Sequence, residues 1–230
     1  MYYSDLIVRE SQADKILALQ LDKSLAGVRG EVLDIAARIK DGAVRAIYYA
    51  SCFTDNYQDV CTMLKSEGNR FLLGLVQLIL HRRIVYDLIR IYYEEVFKNK
   101  TQQQILAIGR ALEKLGVNVS ASTLTVKSFV AGLTATICLS TGFSSLVVAR
   151  VRKLSGMGVF LASSYGYVKI ASESVGRLKL LSPAYYHALY MQDLEMMYFL
   201  VEPIFMKVGA FGNRYMSDDD LISTIWEMAK

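Results

Sequence analysis

The sequence predicts an all-α fold, a helical bundle closed around a central hydrophobic helical hairpin. Three observations carry this expectation. The first 182 of 230 residues contain no proline, the two prolines being Pro183 and Pro203. Apolar positions recur at helical spacing, without the strict alternation that marks a half-buried strand. Two long stretches, Ser128 to Ala149 and Leu154 to Val168, carry no charge. Apolar types make up 53% and charged types 21% of the chain, with mean hydropathy +0.27. That is somewhat more apolar than the average domain and excludes disorder. Three cysteines, Cys52, Cys61 and Cys138, are too few for a disulfide scaffold, and their odd number suits a reducing compartment of synthesis.

The elements follow in order. Ser11 with Asp14 reads as a capping box ahead of Ile16, Leu17, Leu19 and Leu25. A second helix is predicted over 30–40, burying Val32, Leu33, Ile35, Ala36 and Ile39. A third covers 43–53, and a short one passes through Cys61 and Leu64. Residues 71–97 read as one long helix. Its first part, to Leu80, is apolar apart from Gln77 and is expected at the centre of the bundle; its second part is amphipathic through Ile84, Leu88 and Ile91 or Tyr92. Thr101 with Gln104 forms another capping box, and Leu115-Gly116 supplies a C-terminal cap. Pro183 opens a helix expected to run on through Tyr190, Leu194, Met197 and Tyr198, with Pro203 as a kink or break. Ser217 and the acidic Asp218 to Asp220 mark the first turn of the last helix. Three regions result: 1–118, N-terminal helices; 119–181, the hydrophobic hairpin; 182–230, C-terminal helices, together enclosing one compact domain.

The hairpin is the strongest signal. Its first run has 22 uncharged residues, and the second, extended past Lys169 to Ser172, has 19. As helices they would measure about 33 Å and about 28 Å, against a bilayer hydrocarbon core of roughly 30 Å. Nine of the 22 residues are Ser, Thr or Gly. Ser128, Gly132, Thr136, Ser140 and Ser144 recur every fourth residue, as do Gly158, Ala162 and Gly166. Such stripes let helices approach closely in lipid, within the hairpin or between copies of the chain. Arg150, Arg152 and Lys153 are expected at the hairpin tip. Hydroxyls of Thr134, Thr136, Ser140, Thr141, Ser144 and Ser145 are candidates to line a weakly selective pore. Two other placements use the same residues: a buried hairpin at the core of a soluble protein, or a permanent membrane anchor.

A helical protein concealing a hydrophobic hairpin resembles the pore-forming colicins and the small pore-forming effectors delivered between bacteria by contact-dependent secretion. The resemblance covers about residues 126–176 and is architectural. The chain length and glycine-rich hairpin are closer to the effectors than to colicins, which carry long translocation and receptor domains. The resemblance implies insertion into a target cell's inner membrane, depolarisation, assembly as a homo-oligomer in the lipid bilayer and a cognate immunity protein in the producer. The protein would be cytoplasmic in the producer before secretion. The rival expectation is an all-α interaction protein of immunity or adaptor type, cytoplasmic throughout, whose hairpin is its buried core.

Other chemistry finds little support in the residues. Basic residues are dispersed, with net charge +4, so nucleic acid is not an expected partner. The N-terminus lacks a basic region followed by an apolar run, so no secretory leader is expected. Two histidines, His81 and His187, with no H-E-x-x-H or C-x-x-C, predict no metal site. No G-x-S-x-G, phosphate-binding loop or G-x-G-x-x-G occurs, and neither an enzyme activity nor a cofactor is expected. The fifteen tyrosines and Trp226 suit a helical core better than the headgroup level of a bilayer.

Overall fold

The computed structural model describes residues 83–119, 125–155, 160–212 and 216–230, with single positions at 8, 11, 12, 15, 16 and 19 and nine more between 67 and 78. The helices predicted over 30–40 and 43–53, the short helix through Cys61 and Leu64, and also Cys52, His81 and Gly158 lie outside the described residues. All regular structure among the described residues is helical, so the all-α expectation holds. The helices are α1 (Ile84–Phe97), α2 (Gln102–Lys114), α3 (Val126–Leu139), α4 (Thr141–Ser155), α5 (Phe160–Leu181), α6 (Pro183–Tyr190), a 3-10 helix (Glu195–Leu200), α7 (Glu202–Lys207) and α8 (Asp218–Ala229).

Local chemistry sets most boundaries. At the start of α2, the Gln104 amide N–H donates to Thr101 Oγ1 at 3.3 Å, and Thr101 N–H donates to Gln104 Oε1 at 2.9 Å. The same helix ends where Gly116 takes φ +82°. Val117 N–H then reaches Leu112 O at 2.9 Å and Gly116 N–H reaches Glu113 O at 3.0 Å. This αL closure, with Val117 and Leu112 both buried, needs a residue without Cβ strain. Ser217 and Asp220 cap α8 reciprocally. Asp218 pairs with Lys100, which joins the starts of α2 and α8. Pro183 occupies the first turn of α6, as its fixed φ favours.

Two expectations are corrected. A helix start at Arg83, with no side-chain cap, replaces one unbroken helix over 71–97. In the preceding stretch Phe71, Leu75 and Leu78 are buried as expected, while Leu73 is 52% exposed. The second part is buried on more than one face: in α1, Ile84, Val85, Tyr86, Leu88, Ile89, Ile91, Tyr92, Tyr93 and Phe97 are all buried. Tyrosine makes this possible, because each ring adds apolar area while its hydroxyl finds an acceptor. Tyr92 donates to Ala210 O at 2.9 Å, and Tyr93 approaches Met228 Sδ at 3.2 Å. The helix beginning at Pro183 also stops early, at Tyr190 rather than running to Tyr198. Asp193 takes φ +56°, a conformation its short polar side chain tolerates. Leu194 N–H closes the turn onto Leu189 O at 3.1 Å.

One buried cluster links all three sequence regions, from Phe71 through Phe129 and Val168 to Met228. Tyr92 lies near its middle, edge-on to Tyr93, Tyr185, Phe205 and Phe211 at centroid distances of 4.7–5.7 Å. Tyr185 donates its hydroxyl to Leu88 O at 2.8 Å and so docks α6 on α1. Helix α3 packs along α1 through Phe129, whose ring meets Phe97 edge-on at 5.2 Å. Helix α5 packs chiefly on the 3-10 helix. Burial pushes the Tyr93 and Tyr185 hydroxyls well above their ordinary pKa, so both stay neutral.

Truncating Phe129 to Ala is expected to destabilise the fold by about 3–5 kcal/mol, while Leu146→Ala, at a 45% exposed position, changes it by less than about 0.5 kcal/mol. Urea midpoints of the two variants check this; equal losses would contradict the packing of α3.

Candidate functional site

The uncharged run from Ser128 to Ala149 folds as two helices. Thr125 starts α3, its Oγ1 accepting Ser128 N–H at 3.3 Å. The chain then leaves the helix at Ser140, whose ψ is +137°. Ser140 Oγ accepts Phe143 N–H at 3.3 Å and lies 3.3 Å from Met228 O, to which it donates. Ser140 is thus at once the last residue beyond α3 and the cap of α4, anchored to the end of α8. The axes of Val126–Leu139 and Phe143–Arg150 differ by 69°. Among the described residues no single helix is long and apolar enough to cross a membrane; this bent pair meets the length and composition criteria only when its halves are taken together. The expected straight helix of the first run is therefore corrected. A serine able to satisfy two chain ends competes with helix continuation, and the α8 carbonyl favours the break.

The four-residue stripe takes up several roles. Ser128 and Thr136 are half-buried, Gly132 and Ser144 are buried, and Ser140 is the bend. Their hydroxyls are occupied nearby. Ser128 donates to Thr125 O at 3.0 Å, Thr136 to Gly132 O at 2.9 Å, and Thr134 to Val130 O at 2.8 Å. Bonding back onto the preceding turn satisfies a buried hydroxyl without a partner helix. Ser145, Leu146 and Ala149 form the exposed side of α4, opposite the buried Phe143, Val147 and Val148.

The second run and the tip are also rearranged. Arg150, Arg152 and Lys153 lie within α4, so the expected tip is helical. Ala162 and Gly166 lie on the backbone of α5, which continues past the uncharged run to Leu181. The two runs make their most extensive contacts with different partners, α3 with α1 and α5 with the 3-10 helix.

Two ionic nodes that the sequence reading did not single out hold residues 190–202 in place. Arg70 forms a forked pair with Glu195, contacts Asp193 at 2.8 Å, donates to Tyr190 O at 2.9 Å and lies 3.9 Å over the Tyr190 ring. Arg177 on α5 forms a second fork with Glu202, its Nε and Nη2 at 2.6 and 2.8 Å from the carboxylate oxygens. Burial works to raise the Glu202 pKa. Hydrogen bonding from Arg177, the nearby Ser174 hydroxyl and the charges of Arg177 and Arg150 outweigh it, and hold the carboxyl below its ordinary value. No sequence motif marks these pairs, because Arg70 and Glu195 are 125 positions apart.

The chain matches no family model, and it has no significant match among curated proteins or solved structures.

Two outcomes are expected. Ser140→Ala removes the α4 cap and lowers stability by about 1 kcal/mol in thermal unfolding. Glu202→Gln destabilises at neutral pH, but the difference from wild type shrinks as pH falls through and below the ordinary glutamate range, because a depressed carboxyl pKa stabilises only while the group is ionised. Denaturant titrations of both proteins at neutral and acidic pH measure this convergence; a constant difference would exclude the charge as its source.

Proposed function

We propose that this is a membrane-active protein of pore-forming type, which keeps the α3–α4 pair folded in water and inserts it, with the start of α5, into a target bilayer. The supporting observation is the bent pair itself. Its 22-residue stretch from Ser128 to Ala149 has no charge to desolvate. Thr134 and Thr136 already return their hydroxyls to their own helix, so these bonds survive transfer into hydrocarbon. Water and lipid thus impose compatible demands on the same segment. Straightening at Ser140 would exchange one cap and one tertiary bond for a continued helix. A pore so formed would be assembled from several copies in a target inner membrane, with a cognate immunity protein in the producing cell and no enzymatic step.

A second reading is favoured by a separate observation. Phe129, Leu133, Phe143 and Val147 belong to the core shared by the whole described chain. A protein that uses α3 and α4 only as core would serve as a helical interaction module.

Leu146→Asp separates the two. Leu146 is exposed in the folded protein, so the change leaves urea stability within about 0.5 kcal/mol. In an inserted segment the carboxylate costs up to roughly 3 kcal/mol, and partition into anionic liposomes, with release of a membrane potential, falls at least about tenfold. Wild-type protein that neither binds liposomes nor depolarises them would leave the interaction module as the reading.

A further inference from the structure

We propose that α5 is a hinged arm, latched by Arg177 to Glu202, which swings away from the 3-10 helix about Ser182 as one unit while the α1 core stays closed. The argument begins with what α5 buries. Between residues 168 and 181 its inward positions are Val168, Ala171, Ser174, Val175 and Leu178. Two are small, one is polar and none is aromatic. Its last turn is anchored by the buried Leu178, while Lys179, over the Tyr186 ring, is exposed, Leu180 is 86% exposed and Leu181 41% exposed. By contrast α1 and α6 are joined through the Tyr92, Tyr185 and Phe205 rings.

The opposing surface carries one mismatch. Tyr198, on the 3-10 helix, is buried, and its hydroxyl has no hydrogen-bond partner among the described residues. An unsatisfied buried hydroxyl destabilises the closed arrangement that creates it. The charged fork from Arg177 to Glu202 opposes this. Ser172 adds one more tie, donating to Glu67 at 2.6 Å. The seam therefore combines the apolar positions Val168, Ala171, Val175 and Leu178 with directional polar contacts, and the polar contacts are lost over a short displacement.

The joint is also visible. Ser182 is non-helical, with φ −148° and ψ +81°; its N–H closes the last turn of α5 onto Leu178 O at 2.8 Å and its carbonyl accepts Tyr186 N–H at 2.9 Å at the start of α6. Pro183 then prevents α5 and α6 from fusing into one rigid rod, because it has no N–H to continue the ladder. Tyr185, two residues further, fixes α6 to Leu88 O and confines the motion to the arm before the joint. Opening would uncover the inward face of α5 and the adjoining end of α4, where Arg150 contributes its charge to the Glu202 site. If the proposed membrane activity holds, this opening precedes insertion. The arm itself is argued from the seam alone.

Hydrogen exchange of the full chain at neutral pH tests it, with α1 amides as the internal reference. Arg177→Gln is expected to speed exchange across residues 168–181 by about ten- to a hundredfold, leaving α1 and α8 amides unchanged. Tyr198→Phe, which removes the orphan hydroxyl and keeps the ring, is expected to slow exchange in the same residues about three- to tenfold. Breaking the exposed Lys169–Glu173 pair with Lys169→Gln should change nothing. Equal acceleration of α1 and α5 in Arg177→Gln, or no slowing in Tyr198→Phe, overturns the arm. Liposome partition of the same variants separates the two proposals. Selective α5 opening in Arg177→Gln without any gain in partition leaves the arm standing and removes its membrane role.

Discussion

Helix α1 has to be buried on nearly every side, and the surrounding helices are arranged by that requirement. A helix with Tyr86, Tyr92 and Tyr93 in its interior faces must supply acceptors for their hydroxyls as well as apolar walls for their rings. The loop after α7 brings the Ala210 carbonyl to Tyr92, and the end of α8 brings Met228 to Tyr93. In return, α6 sends its Tyr185 hydroxyl into the α1 backbone. Each contact fixes the direction of the element that provides it, so hydrogen bonding by the phenols sets topology as much as hydrophobic burial does.

The uncharged segment then has to fit around this core rather than run beside it. A straight 22-residue helix would extend about 33 Å, longer than α1 at about 21 Å. The break at Ser140 turns the second half by 69° and returns it toward α8 and the 3-10 helix. Serine and threonine content, which in the sequence suggests close packing in lipid, has a local purpose in the folded protein. The hydroxyls bond to carbonyls one turn earlier, and one of them closes the bend. The same chemistry serves both environments, which is why this composition alone does not distinguish them.

Charge is concentrated where regular helix is weakest. The stretch from Asp193 to Glu202 passes from an αL residue through a 3-10 helix, and its two glutamates are buried. Buried carboxylates require partners, and Arg70, 125 positions before Glu195, and Arg177, 25 positions before Glu202, provide them. The two forks hold a segment whose own backbone hydrogen bonds have poorer geometry than those of an α-helix.

Features governed by a few neighbouring residues were readable in advance. The capping box at Thr101–Gln104, the first turn of the last helix at Ser217 and Asp218 to Asp220, the turn at Gly116, the helix start at Pro183 and the all-α class all follow from short-range geometry: a side chain satisfies a backbone group three positions away, a glycine takes a positive φ without strain, or a proline fixes φ at a helix start. The candidate segment was legible as an uncharged stretch, but its shape was not. Whether Ser140 continues a helix or ends it depends on a carbonyl 88 residues later. Whether Arg150 to Lys153 form a tip or a helical turn depends on where the chain next finds a surface to pack against. The burial of α1 and the pairing of Arg70 with Glu195 were likewise decided only in the tertiary structure. The free energy of a long-range contact resides in the two parts together, and neither part carries it in its own sequence.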